Sequence, residues 1–522
     1  MTTEAGGESQ PDGRPRFRYR RGMVDRNPRV TTTSGVVDGF TRGGVTRWRS
    51  IPYARPPVGR LRLRAPRPPI PWRGVRYCHD FAFCAPQRRR YTAIGVNKYQ
   101  PMSEDCLTVN VVAPATPADD PLPVLFFIHG GGYMLGSSAT PIYDGGALAR
   151  RGCVYVSANY RLGALGCLDL SSLSTPDYPI ESNLFLRDLV LALQWVRDNI
   201  GSFGGDPNRV TIFGESAGAH AVAALLAVPA ARGLFAGAIS ESPASGMVVR
   251  ADATANFAAQ FAEILGADGR DAAATVMQAE PRRFVAALNR LLARVVEDMA
   301  GSFAIGPTVD GDYLPRDPFE AMARGEAHPV PVIVGTNAEE ARLFTRWLKM
   351  LPTTEPMIER LLGAADPAAR ERITAAYPGY PHPDACMQLS ADMFFGSAAW
   401  RIAEAHSRHA PAYMYRYDYA PRTLTWSGFG ATHAMELLAV FDIYRTRLGT
   451  LLTLAADRGS ALRVSNNIQS RWRKFSRTGV PGDGWPSYDE DRAVMVFDKH
   501  SRIEFDPYAA RRQAWEGFTL AR

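Results

Sequence analysis

The sequence predicts an α/β architecture: a large, mostly parallel sheet flanked by helices. Three observations carry this. Short, continuously apolar runs of strand length recur, longer stretches of helical periodicity lie between them, and each apolar run ends in a glycine-bearing or polar turn. Composition agrees. With 522 residues, 46% hydrophobic and 21% charged, the chain has material for a large core, which excludes a disordered or fibrous protein.

Residues 124–128 (VLFFI) are apolar at every position, as a strand buried on both faces requires, and they run into His129-Gly130-Gly131-Gly132. Residues 154–157, headed by Cys153 as a plain core residue, and residues 210–213 repeat the pattern. Between these two, residues 189–200 place Leu189, Leu193, Val196 and Ile200 on one helical face, and Gly201 ends the helix. Residues 330–334 (VPVIV) form a further strand that Pro331 pushes toward a strand start or an edge, and 412–417 (AYMYRY) another. Ala-rich segments such as FAAQFAEIL and FVAALNRLL, within about 246–328 and again within 355–410, are expected to be helical insertions over one end of the sheet. Pro and Gly cluster at 51–72 and 478–486, as surface loops do.

The organisation expected is a polar, Arg-rich tail over residues 1–28, with Met23 as an alternative start, followed by one domain over 29–522. The net charge of +8 comes from arginines, which outnumber the four lysines (Lys98, Lys349, Lys474, Lys499) and are spread along the chain. No compact basic stripe with interleaved aromatics stands out, so nucleic acid is not an expected partner. The N-terminus lacks the apolar core of a secretory leader and no run reaches the length of a membrane span, so a cytoplasmic protein is expected. Six cysteines without CxxC spacing provide neither a disulfide framework nor a zinc site, and no metal or other cofactor is expected.

The sharpest chemical signal is Gly214-Glu215-Ser216-Ala217-Gly218, between the strand VTIF and the helix-like AGAHAVAALLA. A serine on a tight strand-to-helix turn projects its hydroxyl from the end of the sheet, and flanking glycines let the chain bend and pack there. Ser216 is the candidate nucleophile. Gly130, Gly131 and Gly132 after a buried strand leave backbone N–H groups free to face a developing oxyanion, and Ala217 adds another. His129 precedes the serine and is expected to be a packed or hydrogen-bonded residue. An acid and then a base are expected after later strands. Gly335-Thr336-Asn337-Ala338-Glu339-Glu340 supplies the acid, and spacing alone leaves Glu339 and Glu340 equivalent. Of the five histidines beyond, His406 and His409 lie in a charged helical stretch and are expected to be exposed. His433, in the small-residue segment GFGATHA, suits the base better than these, His382 or His500.

Further blocks extend the pattern. FGGDPNRVTIF with GESAGA, EDCLTVNV, HGGGYMLGSS, ANYRLGALG, IPYARPPVGRLRL, ALQWVRDNI and PTVDGDYLP together resemble the type-B carboxylesterase family of cholinesterases and bacterial para-nitrobenzyl esterases. The similarity runs from about Val30 to the C-terminus. It implies an α/β-hydrolase fold, a Ser-Glu-His triad and a small-molecule ester substrate. The family's G-x-x-x-D-E-G pattern falls on GTNAEEA and selects Glu340, and G-x-x-H-G-x-E falls on GATHAME and selects His433. The implied oxyanion donors are Gly131, Gly132 and Ala217. The resemblance also implies ion pairs of Arg161 with Asp188 and of Glu104 with Arg55, and a disulfide between Cys84 and Cys106 that a reducing cytosol would oppose.

Three positions depart from the family: Phe185, Ala341 and Ala434 stand where glycines are usual. The stretch between Cys84 and Cys106 holds no tryptophan, so a choline ester is not the expected substrate. Tyr133, Met134 and the helical insertions are the expected source of the acyl pocket. Carbamate, thioester or lipid hydrolysis on the same triad is the alternative activity. A non-catalytic scaffold would not keep all three triad positions, and Ser216 excludes epoxide hydrolases and dehalogenases, which need an aspartate there.

Overall fold

The computed structural model describes residues 28–298, 303–345, 351–363, 367–454 and 457–518. The expected tail therefore lies outside the described residues apart from Pro28, as does Met23. Eleven strands form the main sheet: β1 Phe40–Arg42, β2 Val45–Pro52, β3 Thr108–Pro114, β4 Leu122–Ile128, β5 Val154–Ala158, β6 Gly205–Glu215, β7 Gly237–Glu241, β8 Val332–Asn337, β9 Ala412–Tyr417, β10 Ala493–Phe497 and β11 Arg502–Phe505. Their order is β11-β10-β9-β8-β7-β6-β4-β5-β3-β2-β1. Strands β4 to β10 run parallel, and the strands at the two ends pair antiparallel. A small three-stranded sheet of Arg29–Thr32, Gly35–Asp38 and Val75–Tyr77 precedes it.

Strand β4 shows why its sequence is apolar throughout. Val124, Phe126 and Ile128 pack into the core on one face of the sheet, while Leu125 and Phe127 pack into the core on the other. Helix α1, Leu184–Asn199, covers the first face with Leu189, Leu193 and Val196. Helix α6, Arg458–Thr478, covers the second with Ile468, Trp472 and Phe475. Strand β8 begins immediately after Pro331, but it is not an edge, because β7 and β9 flank it. The Ala-rich segments form helices including α3 Ala251–Leu265, α4 Pro281–Asp298 and α5 Ser397–Ser407. No described helix is long and apolar enough to cross a membrane.

Arg161 and Asp188 pair as expected, with Nη2 and Nε 2.6 and 2.8 Å from the carboxylate. Glu104 does not pair with Arg55. Its carboxylate receives Nε and Nη2 of Arg62, each at 2.8 Å, while Arg55 turns outward to the carbonyl of Pro68. The arginine nearer the buried end of the loop makes the bidentate pair because its stem is buried along the way. His406 also differs from expectation. It is buried, with Nε2 2.7 Å from the Val330 carbonyl, whereas His409 is exposed. Cys84 and Cys106 are buried free thiols, and burial pushes the Cys84 thiol up to about 12.

Candidate active site

Ser216, Gly131, Gly132 and Glu340 stand just beyond the C-terminal ends of the parallel strands β6, β4 and β8, where an open α/β sheet gathers its ligand-binding loops, and His433 lies on the long connection that follows β9. Ser216 joins β6 to helix α2, Ala217–Ala227, with φ 60° and ψ −122°. That conformation is strained for a residue with a side chain, by about 1–3 kcal/mol, and two features hold it. The Ser216 N–H donates to the Glu241 carbonyl at 2.9 Å. The flanking glycines press on the neighbouring strand: a Cβ on Gly218 would lie 2.1 Å, and one on Gly214 2.6 Å, from the Ile128 carbonyl oxygen. The turn therefore admits no side chain at either position.

Gly131 and Gly132 follow β4 with φ 114° and 59°. Among the described residues, the N–H groups of Gly131, Gly132 and Ala217 donate to no other protein atom. Three acceptor-free donors beside a strained serine form a set that an oxyanion would satisfy. The loop is backed by Tyr133, which is fully buried, packs on Phe185 at 4.8 Å between ring centroids and bonds His220 Nδ1 at 2.9 Å. Tyr133 thus supports the glycine loop from the core side and does not form the expected pocket wall. Phe185, in place of the usual glycine, fills this same backing.

The structure separates Glu339 from Glu340. Glu340 is buried, and its Oε2 lies 2.6 Å from His433 Nδ1. Its Oε1 accepts from the Asn337 N–H at 2.7 Å and the Ser242 hydroxyl at 2.6 Å. Glu339 instead accepts the Ala431 N–H at 2.9 Å and pairs with Arg342, so it fastens the loop that carries His433. His129 is buried against the Gly130 carbonyl, and burial lowers its imidazole to about 4, so it stays neutral.

The structure does not join His433 to Ser216. No hydrogen bond from the Ser216 hydroxyl to the imidazole occurs among the described residues. Nε2 lies 2.9 Å from Glu215 Oε1, off the line of its N–H, so that oxygen keeps no aligned donor. The imidazole sits between two carboxylates. Burial alone would lower its pKa, but Glu215 and Glu340 outweigh burial and raise it well above the usual histidine range. Glu215 thus holds Nε2 in this structure, and catalytic contacts of this kind often tighten only when substrate is bound. Glu215→Gln is expected to lower the imidazole pKa and to move the acid limb of kcat/KM about 1–3 pH units downward. An acid limb that does not move would show that Glu215 has no hold on the imidazole.

Sequence reasoning missed this surrounding shell. Two more buried acids stand behind the imidazole. Glu241 accepts the Trp472 indole N–H at 2.8 Å, and burial raises its carboxyl to about 8. Glu436 accepts from Asn337 Nδ2 at 2.6 Å; burial, then the charges of Glu215, Glu241 and Glu340, raise it well above the carboxylate range. Glu241 is expected to hold its proton at neutral pH. Phe344 and Phe395 pack on the His433 ring at 5.0 and 4.5 Å between centroids. Phe395 comes from a π-helical turn, Asp392–Gly396, so the second helical insertion reaches the site. A signal for Glu215 and Glu436 existed, since both lie inside the blocks GESAG and GATHAME.

Ala434 occupies a left-handed conformation, φ 65°, which an alanine disfavours by about 1–2 kcal/mol. After the greater freedom of glycine in the unfolded chain is subtracted, Ala434→Gly is expected to stabilise the fold by about 0.5–1 kcal/mol in denaturant titration. Among the described residues no group of three or more His, Cys, Asp or Glu side chains is arranged to hold a metal ion.

Comparison with known proteins gives consistent results. A model of the carboxylesterase family matches residues 26–515. A para-nitrobenzyl esterase of Bacillus subtilis is 38% identical over 495 residues, spanning 93% of this chain and 97% of that protein. A phenmedipham hydrolase of Pseudarthrobacter oxydans is 32% identical, with 93% and 98% covered. Among solved structures, a PNB esterase superposes with a TM-score of 0.84 at 35% identity, covering 95% of this chain and all of that one. A carboxylesterase of Geobacillus stearothermophilus superposes with a TM-score of 0.79 at 32% identity, covering 94% of this chain and 100% of that one.

Proposed function

The chain belongs to the carboxylesterase family and is a carboxylic ester hydrolase with the α/β-hydrolase fold, and from that premise we propose that it works by acyl transfer through Ser216, with His433 as base and Glu340 as its orienting acid. The observation that carries this assignment is the 2.6 Å contact of Glu340 with His433 Nδ1 at the strand ends that also present Ser216. With Nδ1 committed to Glu340, only Nε2 is left to take a proton, so the acid fixes the tautomer as well as the orientation of the ring.

In the first step His433 Nε2, released from Glu215, takes the Ser216 proton as Oγ attacks the ester carbonyl. The N–H groups of Gly131, Gly132 and Ala217 receive the oxyanion, and the imidazolium returns its proton to the leaving alcohol. In the second step the neutral imidazole takes a proton from water, which attacks the acyl-enzyme and frees the acid and Ser216. Glu340 and Glu215 both stabilise the imidazolium. Every step uses side chains and backbone of this chain.

The substrate class proposed is a small-molecule carboxylic ester as opposed to a long-chain lipid. The test is a panel of para-nitrophenyl esters from acetate to decanoate. A kcat/KM that peaks from acetate to butyrate supports an esterase pocket, and a maximum at the longest chains would contradict it.

A further inference from the structure

We propose that a surface beside the loop of His433 docks this protein on an anionic lipid bilayer. The surface is built on two short helices, Arg422–Trp426 and Arg447–Leu452, fastened to each other by a hydrogen bond from the Thr423 hydroxyl to the Leu452 carbonyl. It displays Trp426 at 73% exposure with Leu448, Leu451 and Leu454 at 47%, 60% and 69%. Among the described residues these are the only leucines and the only tryptophan classed as exposed.

The presentation is fixed by the fold. Gly449 is buried where a Cβ would lie 2.1 Å from the Ile443 carbonyl oxygen and 2.3 Å from Tyr444 Cα. This contact clamps one side of the second helix to the body of the protein, so Leu448 and Leu451, three residues apart, face outward together. The Thr446 hydroxyl caps the same helix by accepting the Gly449 N–H. The Arg458 guanidinium donates to Thr450 Oγ1 at 2.7 Å and holds the far end.

Charge identifies the occupant. Between residues 422 and 460 the chain carries Arg422, Arg445, Arg447 and Arg458 against three acids, Glu436, Asp442 and Asp457, and all three acids are buried. Arg445 reaches Asp442 at 2.9 Å and Arg422 reaches Asp457 at 3.7 Å. Among the described residues Arg447 and Arg458 pair with no acid, so the charge left unpaired in this segment is cationic, beside an apolar centre of one indole and three isobutyl groups. Indole and aliphatic side chains enter the headgroup boundary of a bilayer, and arginines at its rim meet anionic headgroups. A second copy of this chain would bring the same cations against each other across a two-fold axis, which opposes self-association there.

The test is co-sedimentation of the full-length protein with vesicles of phosphatidylcholine, alone or mixed with phosphatidylglycerol, at low and high salt. The expected result is binding to the mixed vesicles that weakens with salt, and a partition coefficient at least about tenfold lower for Leu451→Asp/Leu454→Asp. Trp426→Ala, a milder change, is expected to lower binding in the same direction. Circular dichroism and turnover of a soluble ester are expected to match wild type in both variants, which separates loss of docking from misfolding and from any failure of the Ser216 mechanism. Wild-type protein that stays with the supernatant at low salt would overturn the proposal. Equal sedimentation of the folded variants, or a wild-type dimer that either variant dissolves, would overturn it as well.

Discussion

Ser216→Ala is expected to lower kcat for a para-nitrophenyl ester by about 10⁴–10⁶-fold, with unfolding midpoint unchanged or raised. The loss is large because the substitution removes the atom that forms the acyl bond. What remains is the three backbone donors, which can still stabilise attack by water on a bound ester. The midpoint is expected not to fall. The hydroxyl makes no hydrogen bond among the described residues, and the strain at φ 60° belongs to the backbone, which alanine shares. A variant that keeps full turnover would place the chemistry on another residue. A folded, silent variant that still binds substrate is the outcome the assignment requires.

His433→Ala is expected to cost about as much, because serine and base act as a unit and removing either disables the same step. Glu340→Gln is expected to lower kcat by about 10⁴-fold. Its amide retains the size of the carboxylate but presents a donor or a neutral acceptor to Nδ1, so the imidazole loses both its tautomer control and much of the charge that stabilises its protonated form. The two Oε1 donors, Asn337 N–H and Ser242, would face that amide as well. Glu339→Gln serves as the contrast, since Glu339 ties the Ala431 N–H and pairs with Arg342 without touching the ring. It is expected to leave kcat within about tenfold of wild type, acting only through the position of the loop. Equal losses at both glutamates would contradict the division of roles.

The sequence made the strands and the serine turn legible because their signals are local. An apolar run such as 124–128 must be buried on both faces, and the run 412–417 coincides with strand β9. The turn at Ser216 is written in five consecutive residues. The choice of Glu340 over Glu339 and of His433 over four other histidines is not local, and it came from the order of motifs in a family. Long-range pairings were the part that could not be read. Glu215 reaches His433 across 218 positions, and Glu241 meets Trp472 over a sequence separation of 231. His406 shows a different failure: its charged neighbours Glu404 and Arg408 suggested exposure, yet the buried series Ala399, Ile402, Ala403 and His406 follows helical phase and marks the inward face. Arg62 took the partner assigned to Arg55 because the path of a loop, with no periodicity of its own, decides which of several arginines turns inward.

The claim at the centre of this account is that the Ser216 oxygen, activated by His433, is the atom that carries the acyl group. It is tested most directly by treating the protein with diethyl para-nitrophenyl phosphate, which transfers its phosphoryl group to an activated serine and releases para-nitrophenolate, and mapping the adduct by peptide mass spectrometry. One phosphoryl group per chain on the peptide that contains Ser216, with loss of esterase activity in proportion and little labelling of His433→Ala, is the predicted result. A stoichiometric adduct on a different residue, or complete inactivation with Ser216 unmodified, would contradict it.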